Sequence, residues 1–316
     1  MFCIKEKIKK KININFLYLI PAIIVLNIFV FFPLVKVLAI AFNSNYNKFD
    51  DSLGTKIGEI FSFKNFQNIF QEHEFRFALL NTLLLVLLVP PISLTFALLI
   101  ALALNNIKNR FFKNTFKTLF FLPMISNTVI MGMIFSIVFY CNTFGIASNN
   151  PDGLFNSFIK LFGWKSQEFV TVTAPYHNKI FVLILYNMWA RLPFKIFVFV
   201  LFLQDIDKSY YDAAKVDGAS KWRIFYKITL PLIAPVIFYQ FIIEMMAVFK
   251  EYESVVGLFG ASHQYKIDTI VGYIYNQLSN TTLKSFSKGA AAAIVLFFAS
   301  IFFTLIGFFV SKKTIK

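Results

Sequence analysis

The chain has 316 residues, of which 58% are hydrophobic and 19% aromatic, and its mean hydropathy is +0.66. These values are typical of a protein that crosses a membrane several times and argue against a water-soluble core. The formal net charge of +15 does not indicate nucleic-acid binding, because no soluble basic domain exists to hold a phosphate backbone. We attribute it to basic loops beside a lipid bilayer.

Long apolar runs predict six membrane-spanning helices. They cover residues 16–42, 78–104, 119–140, 180–203, 232–249 and 290–310. Each run reaches or approaches the roughly 20 residues that cross about 30 Å of hydrocarbon as a helix. The first run is too long for a signal-peptide core, so we expect an uncleaved anchor, kinked at Pro21 and Pro33. The predicted fold class is therefore all-α and polytopic.

The positions of Lys and Arg predict the orientation of the spans. Basic residues concentrate in the amino end 1–15, in the loop 105–118, in the segment 208–227 and in the tail 312–316. Since positive loops stay in the cytoplasm, we expect both termini inside the cell. Segment 43–77 then lies outside, and residues 78–311 hold the other five spans.

The third, fourth and fifth spans carry polar and charged residues. Asn187, Arg191 and Lys195 share one face of the fourth span, and Gln240 and Glu244 share one face of the fifth. Charges in hydrocarbon are costly unless they are paired or line a cavity. Because the depths match, we expect Arg191 to pair with Glu244 or both to line a translocation path. A purely structural ion pair is the open alternative.

Polar residues also follow Pro123 in the third span. Asn127 lies between Ser126 and Thr128 and is a candidate for the same path. Amides and hydroxyls suit a sugar, which needs neutral hydrogen bonds. Ser and Thr also bond to the carbonyls of their own helix, which leaves a structural alternative.

The outer segment 141–179 is rich in loops and carries aromatic residues around Phe155 and Trp164. Two interpretations stay open for it. It contacts an extracellular binding protein, or it packs on its own helix bundle.

The most distinctive polar stretch is 209–231, between the fourth and fifth spans. Ser209, followed three residues later by Asp212, predicts a helix start, because the hydroxyl can accept from a free backbone N–H. Asp217-Gly218 predicts the end of that helix, since glycine readily adopts the left-handed conformation.

A second short helix is predicted over 219–228, where Trp222 and Phe225 are three residues apart. It should end before Pro231, which has no backbone N–H. Two short helices that meet at a glycine form a compact unit, and we call 209–231 the elbow. A plain connection between two spans is the alternative.

No enzyme signature occurs in the sequence. The phosphate-binding Gly-Lys-Ser/Thr loop, HExxH and GxSxG are all absent. His73, His177 and His263 are isolated, and the predicted topology separates Cys3 from Cys141. We therefore expect no catalytic residue, cofactor or metal ligand, and any ATP hydrolysis belongs to another chain.

The elbow resembles the cytoplasmic motif of binding-protein-dependent ABC transporter permeases. The similarity extends to Phe32-Pro33, Asn81-Thr82, Pro123 and Pro193-Phe194, in the order typical of the maltose-type branch for sugars and glycerol phosphate. The residues that the resemblance assigns to coupling with an ATPase are Asp212, Ala213, Ala214, Asp217, Gly218, Ala219, Trp222, Phe225, Ile228, Leu230 and Pro231.

The resemblance implies one membrane subunit of an ATP-driven importer of a sugar or glycerol-phosphate-like solute. Its partners would be a second permease, two ABC ATPase subunits and an extracytoplasmic solute-binding protein. Three features depart from the family pattern: Asp212 replaces the usual Glu, Asp207 replaces a common Pro, and 257–287 lacks most of a glycine-rich stretch.

The competing function is an ATP-independent carrier or channel that uses Arg191, Lys195 and Glu244. It predicts transport by this chain alone and tolerance of substitutions at Gly218.

Overall fold

The computed structural model describes residues 18–43, 46, 62–107, 109–142, 152–260, 266–280, 282 and 285–314. The basic amino end, residues 47–61, the loop 143–151, His263 and the last two residues of the tail lie outside the described residues. Every regular element in the described ranges is helical, so the predicted all-α fold is confirmed.

Five helices are long and apolar enough to cross a membrane. They are α1 (Tyr18–Phe42), α3 (His73–Asn106), α7 (Tyr176–Asp205), α9 (Lys221–Phe249) and α12 (Ser285–Thr314). A bent pair, α4 (Arg110–Ile125) and α5 (Thr128–Val138), stands where the third span was predicted. Shorter helices are α2 (Lys64–Gln71), α6 (Leu154–Leu161), α8 (Lys208–Val216), α10 (Glu253–Phe259) and α11 (Ile270–Ser279).

The segment predicted as the third span, 119–140, is not one straight helix. Between Asn114–Ile125 and α5 the chain bends by 107°. Asn127 caps α5, because its side-chain oxygen accepts from the backbone N–H of Val129 at 2.9 Å and of Ile130 at 3.3 Å. A side chain that accepts from the first backbone N–H groups of a helix favours the start of a new helix at that point over continuation of the preceding one.

The prediction that the second elbow helix stops before Pro231 is wrong. A π-helical turn, Phe225–Thr229, comes just before the proline, and the N–H of Leu230 bonds to the carbonyl of Phe225, so the helix continues through Pro231. A similar turn, Asn27–Phe31, precedes Pro33. The wider π turn accommodates a ring that lacks an N–H donor without ending the helix.

The described chain forms two compact units. One comprises the described residues up to Gln71 together with Ile274–Ile294. Within it, the buried amide of Asn65 donates to the carbonyls of Ala41 and Asn43, both at 2.9 Å. These bonds satisfy carbonyls at the end of α1, where no further helical turn exists to do so.

The other unit comprises Glu72–Tyr273 and Val295–Lys316. Its core is formed by α3, α7, α9 and α10 in two clusters. The first is built around Leu85, Val89, Val182, Tyr186, Val248 and Leu258, and the second around Ala97, Ala101, Ile196, Phe199 and Ile233. The opposite faces of these helices expose large apolar side chains, such as Leu87 and Phe202, as expected for surfaces that face lipid.

Two glycines allow α5 and α10 to touch through their backbones. A Cβ atom added to Gly132 would lie 2.8 Å from the Cα of Gly257. Any larger residue at either position would push the helices apart. Gly257 thus has a packing role in the segment that departs from the family pattern.

Candidate functional site

The first elbow helix, α8, begins two residues earlier than predicted. Asp207, and not Ser209, is its cap: the Asp207 Oδ1 atom accepts from the backbone N–H of Ser209 at 2.9 Å. The same bond lowers the pKa of the Asp207 carboxyl from its ordinary value. The acidic residue that replaces the family's common proline therefore supplies the helix start.

Gly218 ends α8 as predicted. Its φ is +69°, its N–H bonds to the carbonyl of Lys215 at 3.0 Å, and the N–H of Ala219 bonds to Ala214 at 2.9 Å. This pair of bonds is the Schellman motif, which requires a left-handed residue. The backbone at Gly218 thus sets the angle at which the chain leaves α8.

Two further contacts hold the elbow together. The Ser220 hydroxyl accepts from the N–H of Arg223 at 3.3 Å and caps α9. The hydroxyls of Tyr211 in α8 and Thr229 in α9 are 3.3 Å apart. Both elbow helices are therefore joined directly to each other as well as through the turn.

The elbow exposes large apolar side chains. Val216 is 88% exposed, Trp222 71% and Tyr226 56%, and the rings of Trp222 and Tyr226 stack at 6.0 Å. Sequence reasoning identified Trp222 but missed Val216 and Tyr226. A helix end that keeps such groups in water is suited to burial against a partner.

The other predicted coupling residues differ in exposure. Asp212 is exposed and pairs with Lys215 of its own helix at 2.8 Å. Ala213, Asp217 and Pro231 are exposed, Ala214 is buried, and Ala219, Phe225, Ile228 and Leu230 are half-buried. An exposed acidic group with only a surface partner can change that partner at small cost.

Charged residues of the fourth and fifth spans form a buried network. Lys195 Nζ lies 2.9 Å from Glu244 Oε2 and also donates to the carbonyl of Arg191 at 3.1 Å. The predicted contact of Arg191 with Glu244 is present, at 4.0 Å between Nε and Oε1. These groups come from the consecutive spans α7 and α9, but the closer partner of Glu244 is Lys195 and not the depth-matched Arg191.

Glu251, in the break between α9 and α10, was missed in the sequence and is the close partner of Arg191. Its Oε1 accepts from the N–H and the hydroxyl of Ser254, at 2.9 and 2.7 Å. Asn187 donates to the Ser254 hydroxyl at 2.9 Å and accepts from Arg191 Nε at 3.3 Å. Glu251 lies beyond the end of α9 at Phe249, so helical spacing from Glu244 does not place it.

Two polar atoms of the network have no hydrogen-bond partner among the described residues. They are Gln240 Nε2 and Glu244 Oε1, in side chains that are almost completely buried. Buried polar atoms are normally satisfied, so each of these can take up a water or a solute group. Arg191 is the most exposed charged member, with 21% of its side chain accessible.

Nothing in the described part of the chain points to a metal centre. Those residues include no group of three or more His, Cys, Asp or Glu side chains placed to hold a metal ion. Cys141 is a buried, free thiol.

Comparisons with known proteins agree with the geometry. The chain is 26% identical to the lactose transport system permease protein LacF of Rhizobium radiobacter, over 98% of both chains. It is 30% identical to the arabinooligosaccharides transport system permease protein AraP of Bacillus subtilis, over 92% of this chain and 86% of AraP.

A solved structure of a bacterial alginate ABC transporter, in complex with an alginate pentasaccharide-bound periplasmic protein, has the same fold. The TM-score is 0.78 at 23% identity, and the match covers 98% of both chains. The sequence pattern of one transport family matches residues 93–316, which include the elbow and the buried network. The chain belongs to the family described as binding-protein-dependent transport system inner membrane component.

Proposed function

We propose that the chain is one membrane subunit of an ATP-driven importer that moves a sugar or glycerol-phosphate-like solute into a bacterial cell. LacF and AraP are named for lactose and arabinooligosaccharides, and the solved transporter is named for alginate. All three names refer to carbohydrates, which supports a sugar as the solute. The assembly would include a second permease, two ABC ATPases and an external solute-binding protein.

The elbow is the observation that carries the proposal. It is a braced pair of helices with exposed apolar groups, which suits docking on an ATPase subunit. Its first helix follows α7, and its second is the beginning of α9, one continuous helix from Lys221 to Phe249. A displacement of the elbow would therefore move the two spans that carry the ion network.

This arrangement gives a route for coupling. Closure of the ATPases would drag the elbow, and α7 and α9 would shift against each other around Lys195 and Glu244. ATP hydrolysis would take place in the partner chains. This chain would have no catalytic role and would convert their motion into opening and closing of a path.

We place the elbow and both termini in the cytoplasm. Five basic residues surround the elbow: Lys208, Lys215, Lys221, Arg223 and Lys227. The positive-inside rule supports this side for them and for the basic amino end. Segment 43–77 and the segment that precedes α7 would then face the outside.

We also propose that the network lines the translocation path. Its members would be Asn187, Arg191, Lys195, Gln240 and Glu244, with Glu251 added and Asn127 at the break in the third span. The partly exposed Arg191 and the unpartnered atoms of Gln240 and Glu244 support this role. When the spans separate, Gln240 Nε2 would donate a hydrogen bond to a solute hydroxyl, and Glu244 Oε1 would accept one from it.

Uptake by reconstituted vesicles tests the proposal. The chain is reconstituted alone, or with the partner chains that copurify with it, and radiolabelled lactose, maltotriose and glycerol phosphate are the probes. We expect uptake of at least one probe only with the partners, the external binding protein and ATP. Uptake by the chain alone, driven by a proton or sodium gradient, would instead support the carrier alternative.

A further inference from the structure

The helix α6 and the turn after it carry an exposed apolar surface that the proposed function does not use. We call it the α6 patch: Leu154, Phe158, Leu161, Phe162 and Trp164, which are 55% to 82% exposed. A helix in contact only with protein and water would carry polar groups at such positions. The patch therefore indicates that this side of α6 contacts something other than water or the rest of this chain.

Specific bonds fix the orientation of α6. The backbone N–H of Gly153 and the amide of Asn156 both donate to the carbonyl of Tyr140 at 2.9 Å. The buried Asn156 amide also donates to the Gln167 carbonyl at 3.0 Å. A Cβ atom at Gly153 would lie 2.3 Å from the carbonyl oxygen of Ile137. The helix is thus clamped to the end of α5, and its outward face is determined.

Around its axis α6 has three distinct sides, with successive residues separated by about 100°. Asn156 and Ile159 are buried against the protein. The exposed polar residues Ser157 and Lys160 share a second side. Leu154, Phe158 and Leu161 occupy the third side together with Phe162. This division into protein, polar and apolar sides is typical of a helix that lies in a membrane interface.

The contacts of α6 place it at the level of a span end. The ring of Phe155 is 5.3 Å from Phe169, and Phe169 is 6.5 Å from Phe181 in the second turn of α7. Phe181 is itself 49% exposed, and Ile137 at the end of α5 is 69% exposed. Exposed apolar side chains thus occur on α6 and also at the ends of α5 and α7.

We propose that α6 lies in the interfacial layer of the bilayer and that lipid covers the α6 patch. The apolar side would contact the upper acyl chains, and Trp164 would sit at headgroup level, where its ring is favoured. The exposed Lys165 would extend toward lipid phosphates. The inference requires a membrane location but neither a sugar substrate nor ATPase coupling.

Spin-label accessibility tests the proposal in the complete assembly in nanodiscs. Nitroxides are attached at Phe158→Cys and Leu161→Cys, with Ser157→Cys as the matched control on the polar side of the same helix. The background carries Cys3→Ser and Cys141→Ala and must elute and unfold as the wild-type assembly does. We expect labels 158 and 161 to be accessible to oxygen and protected from water-soluble nickel, and label 157 to show the reverse.

Two spin-label results would overturn the proposal. Strong nickel accessibility at 158 and 161 would mean that the patch faces water. Protection from both reagents would mean that another protein, such as a solute-binding protein, covers it. Brominated lipids provide a measurement without cysteine changes. The emission of Trp164 is obtained as the wild-type fluorescence minus that of the Trp164→Phe assembly, and we expect brominated lipids to quench it. Trp164 emission that brominated lipids do not quench would contradict lipid contact.

Discussion

Lys195 and Glu244 form an ion pair with 2.9 Å between Nζ and Oε2, and only 2% and 7% of their side chains are exposed. The pair joins the fourth and fifth spans at a depth where either charge alone would be costly. Because the carbonyl of Arg191 also accepts from Lys195, the ammonium group has two fixed partners. Variants of this pair can therefore show whether it serves only to stabilise the protein or also to transport the solute.

Removing one charge should destabilise the protein strongly. Lys195→Met leaves Glu244 buried without its nearest cation, at an expected cost of about 3–5 kcal/mol. Lys195→Met combined with Glu244→Leu should recover most of that loss, because no uncompensated charge remains. Thermal unfolding of the purified assembly measures both. Lys215→Met, which breaks an exposed pair, is the control and should have little effect. Equal instability of the single and double variants would contradict this account of the pair.

The same double variant tests whether the network lines the path. If Lys195 and Glu244 serve the solute, their apolar replacements should restore stability while uptake falls at least tenfold. The physical reason is that the path loses its polar partners for solute hydroxyls. Recovery of both stability and uptake would show that the pair only fixes helix register.

Asp152 makes the segment before α6 sensitive to acid. The bonds from Lys160 and from the backbone N–H of Asn142 lower the pKa of the Asp152 carboxyl to about 2. A lowered pKa gives stability that is present above the ordinary value near 3.8 and is lost as the pH falls through about 2.

Asp152→Asn should therefore lower stability by about 2 kcal/mol at pH 7, and by progressively less below pH 4. Thermal unfolding of the wild-type and variant assemblies across this pH range measures the difference. Lys160→Met removes the largest single cause of the pKa shift and should reproduce part of the loss. A difference that does not change with pH would contradict the assignment.

Val216 tests the docking surface of the elbow. Since this side chain is 88% exposed, Val216→Asp should leave the fold intact but place a carboxylate in the proposed apolar contact. We expect the amount of copurifying ATPase to fall at least tenfold. Val172→Asp, an exposed valine in the loop before α7, is the matched control. Normal copurification of the Val216 variant would exclude this residue from the contact.

The elbow shows what local sequence can and cannot predict. Gly218 was predictable because only its backbone conformation matters, and the surrounding residues form a recognisable motif. The start at Asp207 and the passage through Pro231 were missed for different reasons. The side chains of Asp207 and Ser209 can each accept from the first N–H groups of the helix, so the sequence offers two starts. The π turn depends on the packing of α9, which local sequence does not give.

The ion network was predictable only in part. Helical periodicity placed Asn187, Arg191 and Lys195 on one face, and counting residues from the span ends matched the depth of Arg191 to that of Glu244, although Lys195 is the closer partner. It did not identify Glu251 as the partner of Arg191, because α9 ends before that residue and the break brings it back against α7. Periodicity inside a helix says nothing about where the chain turns after the helix ends.

The central claim is that the elbow couples this chain to separate ATPases. Substitution of Gly218 tests it most directly. Gly218→Val forces a β-branched residue into the left-handed conformation, at a strain of about 1–2 kcal/mol, whereas asparagine tolerates it. Gly163→Val has similar strain at a distant positive-φ glycine with open space around it. The tagged assemblies are purified, their subunits are identified by mass, and ATP-dependent uptake is measured. The account predicts loss of ATPase copurification and uptake for Gly218→Val alone, with Gly218→Asn and Gly163→Val close to wild type. A Gly218→Val assembly that keeps its ATPase and full uptake would contradict it.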